Sequence, residues 1–277
     1  MRNLRDFLPS FPNPEWIGCL VARDSDTSTK VTVLGCAGSS YDEGLRLPCS
    51  GYLLESSETA ILLDCGYGTF DSFLLHAPTT RIDAIFVSHA HGDHVGDLEA
   101  FMGATELWRH QPQLIASEKT MSLIVREPDS LPEGTLTLVG DGTHVECAQL
   151  EMDFSLTTHQ MPTLAACVSI GGRRVVYSAD TGPTWSIPPS FVGADLAIVE
   201  CTLETRDEGS SPFHLDAQEA GKMAIVLSVP QTMISHVPPH ESGRNRLAIA
   251  RDVAQGLDFT LATTGLQVVL EPWFLRR

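Results

Sequence analysis

The sequence predicts an α+β fold, a four-layer αββα sandwich of two β-sheets flanked by helices, with a single domain over residues 31–277 behind an N-terminal arm, residues 1–30. Three observations predict it. Short runs of branched and aromatic residues recur in both halves of the chain, segments with helical spacing follow some of them, and most runs end on a polar residue able to titrate or to bind a metal. Active groups are therefore expected on loops along one edge of the sheets.

In the first half, Val31 to Leu34, Gly51 to Glu55 and Ala60 to Asp64 read as a meander punctuated by glycine turns, and Ile82 to Ser88 reads as a buried strand. Val95, Leu98, Phe101, Met102 and Trp108 recur at helical spacing, so a helix is expected after His94, with Asp97 and Glu99 near its positive end. In the second half Met152, Phe154 and Leu156 alternate toward His159, Val175 to Tyr177 runs into Asp180, and Leu196 to Val199 runs into Glu200. Asp216 and Glu219 have the spacing of a capping box opening a helix through Ala220, Met223, Ala224 and Leu227, and a strand from Thr232 to Ser235 then delivers His236.

With 277 residues and 43% hydrophobic content, the chain can bury a sizeable core. No low-complexity tract, long linker or internal repeat divides it. The 7 cysteines are odd in number and include no Cys-x-x-Cys pair, which fits a reducing cytosol better than a disulfide framework. In the arm the longest apolar run, Ile17 to Ala22, is too short for a signal segment or a membrane span, so a cytoplasmic protein without a membrane partner is expected. The arm's apolar residues are expected to pack on the chain's own body, or else on a second subunit.

The formal net charge of −17 repels polyanions, and nucleic-acid affinity comes largely from neutralised phosphates, so long RNA or DNA is disfavoured as a partner. Arg173-Arg174 and Arg244 to Arg246 are the seeds for a local basic patch, and the first pair reads most simply as solvated surface arginines.

The densest chemical signal is His89-Ala90-His91-Gly92-Asp93-His94, with four ligand-type side chains within six residues. A shuffled chain of this composition would show the pattern on the order of once in a thousand. A loop leaving a strand aims alternate side chains at two neighbouring points, which supplies half of two metal sites. His159, Asp180 and His236 stand at strand ends and can complete them. Taken singly, each is equally a hydrogen-bonded structural residue; together with the motif they read as ligands. Imidazole and carboxylate donors without thiolates suit two divalent ions, Zn²⁺ first, with Mn²⁺ or Fe²⁺ as alternatives. Asp64, at a strand end, reads as a brace for the ligand loop.

These residues, followed by Ser178-Ala179-Asp180-Thr181-Gly182 and Ser235-His236, resemble the metallo-β-lactamase superfamily over residues 31–271. Gly35-Cys36-Ala37-Gly38-Ser39-Ser40 and Leu63-Asp64-Cys65-Gly66 match the opening of that family. Val199-Glu200-Cys201-Thr202 is similar to the His-Glu-Ala-Thr motif of the branch containing ribonuclease Z and cyclic nucleotide phosphodiesterases, and Phe213-His214-Leu215 to its His-Ser-Thr motif. The chain departs from those motifs at Cys201 and at Leu215-Asp216.

The resemblance implies that His89, His91 and His159 bind one ion, that Asp93, His94 and His236 bind the other, and that Asp180 bridges them. A water or hydroxide between the ions would be the nucleophile. Asp93, Glu200 and His214 would be the catalytic residues, His214 protonating the leaving oxygen and Glu200 orienting it. The run from Asp180 through His214 and Glu219-Ala220-Gly221 to His236-Val237-Pro238-Pro239 looks like atypical actinobacterial cyclic nucleotide phosphodiesterases, so a small phosphodiester, first a 3′,5′-cyclic nucleotide, is the expected substrate. Ribonuclease Z-like tRNA 3′ processing is the alternative, although those enzymes carry a long arm between the third histidine motif and the bridging aspartate, whereas His159 and Asp180 are only 21 positions apart. A lactonase, thioesterase or β-lactamase is the second alternative. Relatives in the branch often pair as dimers, and the aromatic arm makes a homodimer the expected assembly if one forms.

Overall fold

The computed structural model describes residues 28–38, 47–104, 110–124, 134–147, 149–207, 210–238 and 243–271. The N-terminal arm up to residue 27, Ser39-Ser40, Trp108, Pro239 and His240 lie outside the described residues.

The first sheet takes β1 (Thr29–Gly35), β2 (Gly51–Glu55), β3 (Ala60–Leu63), β4 (Ala84–Val87), β5 (Gln113–Ser117), β6 (Leu136–Val139) and β14 (Gln267–Leu270), in the order β14-β1-β2-β3-β4-β5-β6. It is antiparallel from β14 to β3 and parallel from β3 to β6. The second sheet takes β7 (His144–Cys147), β8 (Leu150–Leu156), β9 (Leu164–Ile170), β10 (Arg173–Tyr177), β11 (Leu196–Glu200), β12 (Gln231–Ser235) and β13 (Asp258–Leu261), ordered β13-β12-β11-β10-β9-β8-β7. Here β10 to β13 are parallel and β7 to β10 antiparallel.

Period-two alternation sorts the side chains into three apolar layers. Val31, Val33, Leu54 and Phe86 face Phe154, Val168, Val175 and Ile198 between the sheets. On the outer face of the first sheet, Leu53, Leu62, Ile85 and Leu114 pack against α1 (Thr69–His76), α3 (Leu98–Gly103) and α4 (Glu118–Ile124) through Phe73, Phe101 and Met121. On the outer face of the second, Val176, Ala197, Val199 and Ile234 pack against α5 (Ala217–Leu227) and α6 (Gly243–Val253). The result is the four-layer αββα sandwich. Strands such as β4 and β11 are buried throughout because helices cover the sheet face that the partner sheet does not.

Asp216 and Glu219 form the reciprocal capping box that opens α5. Asp216→Ala removes the acceptor for Glu219 N–H and should lower stability by about 1 kcal/mol, measured by chemical denaturation.

The helix after the histidine motif differs from expectation. A single turn, α2 (Gly92–Val95), begins inside the motif, and α3 starts only after Gly96 and Asp97. Asp97 is not simply a first-turn acid. Its Oδ2 accepts the Phe70 amide at 2.9 Å, capping α1 from across the loop, because Gly68 has no side chain to do so.

Arg173 is likewise not a solvated surface arginine. It is buried, donates to Asp195 Oδ1 at 2.6 Å and reaches the Glu271 carbonyl. Asp195 pairs with it, so the enclosed guanidinium is not left as an uncompensated charge. Among the described residues no helix is long and apolar enough to cross a membrane.

Candidate metal centre

The centre sits where strands end. His89 follows β4, Asp180 follows β10, Glu200 ends β11 and His236 follows β12, so the carboxyl ends of parallel strands from both sheets face one crevice. Two of these turns, and the turn after β3, hold non-glycine residues in the left-handed region: Ala179 at φ 49°, His236 at φ 58° and Asp64 at φ 57°. Such backbone is strained, and here it redirects the chain as it leaves the strand. Close approach is equally tight at Gly66, where a Cβ would stand 2.0 Å from the Asp93 carbonyl oxygen.

Five imidazoles share one design. His89 Nε2 lies 2.9 Å from His91 Nδ1, and His159 Nε2 lies 3.3 Å from the same atom. His94 Nε2 and His236 Nε2 are 3.1 Å apart. In each ring the other nitrogen is held elsewhere. His89 Nδ1 meets Ser88 Oγ at 3.0 Å, His159 Nδ1 donates to the Phe213 carbonyl at 3.1 Å, His94 Nδ1 donates to Asp64 Oδ2 at 2.7 Å, and His236 Nδ1 meets Thr202 Oγ1 at 2.8 Å. His91 Nε2 meets the Gln160 amide group at 3.2 Å. For that contact to be a hydrogen bond with Nδ1 left as the lone pair, the Gln160 amide presents its oxygen.

Asp180 stands between the two groups. Its Oδ1 lies 3.2 Å from both His94 Nε2 and His236 Nε2, while Oδ2 lies 3.7 Å from His89 Nε2 and 3.8 Å from His159 Nε2. Asp93 Oδ2 approaches His236 Nε2 at 3.5 Å. Donor atoms of His89, His91, His159 and Asp180 all fall within 4.8 Å of one another, as do those of Asp93, His94 and His236.

This donor set fits divalent cations. Lone pairs converge at the spacing of a tetrahedral shell, roughly 3.3 Å between donors for bonds near 2.0–2.1 Å. Asp180 Oδ1 is buried with no properly aligned hydrogen-bond donor, an arrangement that costs energy unless a cation faces it. Burial pushes the pKa of His89, His91 and His159 down, keeping them neutral and able to donate a lone pair. Burial acts in the same direction on His94 and His236, but the charge of Asp180 overrides it and raises both. Asp93 is raised by burial yet lowered further by the His236 hydrogen bond and the neighbouring imidazoles, to about 2.

Asp64 does not enter the ligand cluster. It accepts Ser88 N–H and Ser88 O–H at 2.7 Å each, His94 Nδ1–H at 2.7 Å and Tyr177 O–H at 2.6 Å. It therefore fixes the strand end before His89 and the tautomer of His94 together. Asp64→Ala should weaken metal affinity about 10–100-fold, readable by competition with a chelator.

Glu200 and His214 flank the centre. His214 Nδ1 lies 2.9 Å from Glu200 Oε1, and the Glu200 carboxylate also accepts the Thr181 and Thr202 amides at 3.0 Å each. Burial lowers the His214 pKa, but the Glu200 hydrogen bond and charge outweigh it and the net shift is upward. Sequence reading assigned no individual role to Ser88, Gln160, Tyr177 or Thr202; what marks them is their nearness in sequence to His89, His159, Asp180 and Glu200 and, for Thr202, its place in the Val199-Glu200-Cys201-Thr202 motif. Arg246 is no basic surface seed, being buried with its guanidinium on the carbonyls of Cys201 at 3.0 Å and Thr202 at 2.9 Å.

A profile of the Beta-lactamase superfamily domain matches residues 59–237. The probable metallo-hydrolase YhfI of Bacillus subtilis is 28% identical over 247 residues, 85% of this chain and 98% of the relative. Its crystal structure matches with a TM-score of 0.74 and 24% identity over 87% of this chain and 99% of the other. Ribonuclease Z of Brevibacillus brevis is 22% identical over 240 residues, 64% of this chain and 75% of its own length. A diphosphatase of the PhnP family shares the fold, with a TM-score of 0.68 and 18% identity over 87% of this chain and 97% of that one. The chain belongs to the metallo-β-lactamase superfamily, on the branch that includes ribonuclease Z, and is a metal-dependent hydrolase.

Proposed function

We propose that the chain hydrolyses a small phosphodiester, first a 3′,5′-cyclic nucleotide, with His89, His91, His159, Asp180, Asp93, His94 and His236 holding two divalent ions and His214 acting as general acid. Zinc suits this donor set, with manganese or iron as alternatives. Such a pair of ions lowers the pKa of a water and neutralises charge on the phosphoryl oxygens. The chain's own part is to hold the substrate's surroundings still and to manage one proton.

The observation that carries the reading is the Glu200–His214 pair at 2.9 Å. Glu200 accepts the Nδ1 proton and fixes the ring, leaving Nε2 to deliver a proton to the departing oxygen. An alkoxide leaving group, with an intrinsic pKa far above 7, needs that proton, whereas β-lactams and thioesters need it less. Donor atoms of His214, Asp180 and His236 lie within 4.8 Å of one another, close enough for His214 to serve a phosphodiester bound at the centre.

A small substrate is favoured over tRNA by how residues 160–179 are used. That interval is taken up by the β9–β10 hairpin, closed by Gly171 and Gly172 at φ 56° and 74°, so no protruding arm emerges between His159 and Asp180. The net charge of −17 acts in the same direction. The cysteines of the described residues are free thiols, which supports a reducing cytosol as the location.

Zinc- or manganese-loaded protein is expected to convert cyclic AMP or cyclic GMP to a nucleoside monophosphate and to leave precursor tRNA and nitrocefin intact. If both cyclic nucleotides survive while an aryl phosphodiester is cleaved, the substrate assignment falls and the reaction class stands. Turnover of nitrocefin or an acyl lactone without any phosphodiester cleavage would overturn the class as well.

A further inference from the structure

Thr202 occupies an unusual place between the two functional parts of the site. Its Oγ1 lies 2.8 Å from His236 Nδ1, 2.7 Å from Glu200 Oε2 and 3.2 Å from His214 Nδ1. A hydroxyl has one proton and two lone pairs. The Glu200 carboxylate only accepts, so the Thr202 proton goes to Oε2 and both imidazole nitrogens face Thr202 as N–H donors, His214 Nδ1–H being shared between Thr202 Oγ1 and Glu200 Oε1. With Nδ1 as the donor to Thr202, His236 keeps Nε2 for the ion that Asp180 and Asp93 would also hold, and His214 keeps Nε2 for proton transfer.

The hydroxyl is itself held from outside the site. Arg246, on α6, is buried and donates Nε–H to the Cys201 carbonyl and Nη2–H to the Thr202 carbonyl, clamping the backbone on both sides of the peptide that carries Thr202. The Glu200 carboxylate clamps the same residue from the other direction by accepting the Thr202 amide. The backbone of Thr202 is thus held through both its carbonyl and its N–H, and the contacts of Oγ1 with Glu200, His214 and His236 select the side-chain rotamer.

We propose that Thr202, seated by Arg246, is a positioning residue that sets the second metal site and the general acid together, by fixing the tautomer and orientation of His236 and His214 through one hydroxyl. The inference rests on the phosphodiesterase reading for its acid half. Its metal half stands on the His236 contact alone.

Thr202→Val removes the hydroxyl at nearly constant shape, and Thr202→Ser keeps it. Both are compared with wild type on cyclic AMP, whose leaving group is an alkoxide, and on bis(4-nitrophenyl) phosphate, whose leaving group needs no proton, together with zinc content and zinc affinity. For Thr202→Val we expect cyclic AMP turnover to fall about 10²-fold, aryl turnover by ~10-fold or less, and the affinity for the second zinc to weaken about 10–100-fold while the first is kept. Thr202→Ser should recover most of all three. Equal losses on the two substrates with both zinc ions bound at wild-type affinity would reduce Thr202 to a packing residue and overturn the inference, as would no loss at all. Should wild-type protein cleave neither phosphodiester, the functional reading fails, and the zinc affinities of the Val and Ser variants still decide whether Thr202 serves His236. Should Thr202→Val not fold, Thr202→Ala carries the same comparison.

Discussion

Asp180→Ala should bind at most one divalent ion per chain and lose about 10³-fold or more in kcat/KM on a phosphodiester, the largest effect of any single substitution. The reason is geometric. One carboxylate sends Oδ1 to 3.2 Å from His94 and His236, and Oδ2 to within 3.8 Å of His89 and His159, so a single truncation removes a donor from both ligand groups. Asp180 is also the residue that the strained turn at Ala179 serves to place. Asp180→Asn keeps the volume but removes the charge that offsets two cations, and it should fall between alanine and wild type. Elemental analysis of the reconstituted variants reads the metal loss, and initial rates read the activity.

His214→Ala should leave both ions bound and lower turnover of an alkyl phosphodiester about 10²–10⁴-fold, while an aryl phosphodiester with a nitrophenolate leaving group loses far less. The difference between the two substrates is the informative quantity, because general damage to the site lowers both alike. His214 is held by Glu200 Oε1 at 2.9 Å and belongs to neither of the two ligand groups, so its removal takes a donor from neither. Glu200→Gln should show a smaller loss with the same leaving-group dependence, since an amide oxygen still accepts the Nδ1 proton but without charge.

Much of the site was legible because its chemistry is concentrated in residue types that are rare at strand ends. His89 to His94, His159, Asp180 and His236 each follow an apolar run, and the folded chain brings them into one crevice. The capping box at Asp216 was legible for a similar reason, since its spacing has a mechanism. What escaped lies in residues whose role depends on partners distant in sequence. Asp97 looks like a helix-start acid until the fold sets it 2.9 Å from the amide of Phe70, and Arg173 looks solvated until Asp195 meets it. Thr202 and Ser88 carry neither charge nor periodicity. The strand β9, though wholly apolar in Leu164–Cys167, gave no separate signal because its neighbours Thr163 and Gly171 do not mark a polar, metal-capable end. The edge strand β7 is largely exposed and lacks a run of branched residues to announce it.

The seven convergent donors and the bridging position of Asp180 are the centre of this account, and counting bound metal tests them without assuming any substrate. Protein stripped with a chelator, reconstituted with zinc and freed of excess ion should retain two ions per chain, one for each ligand group. A stoichiometry of one ion or fewer, in protein that is folded by circular dichroism, would contradict it.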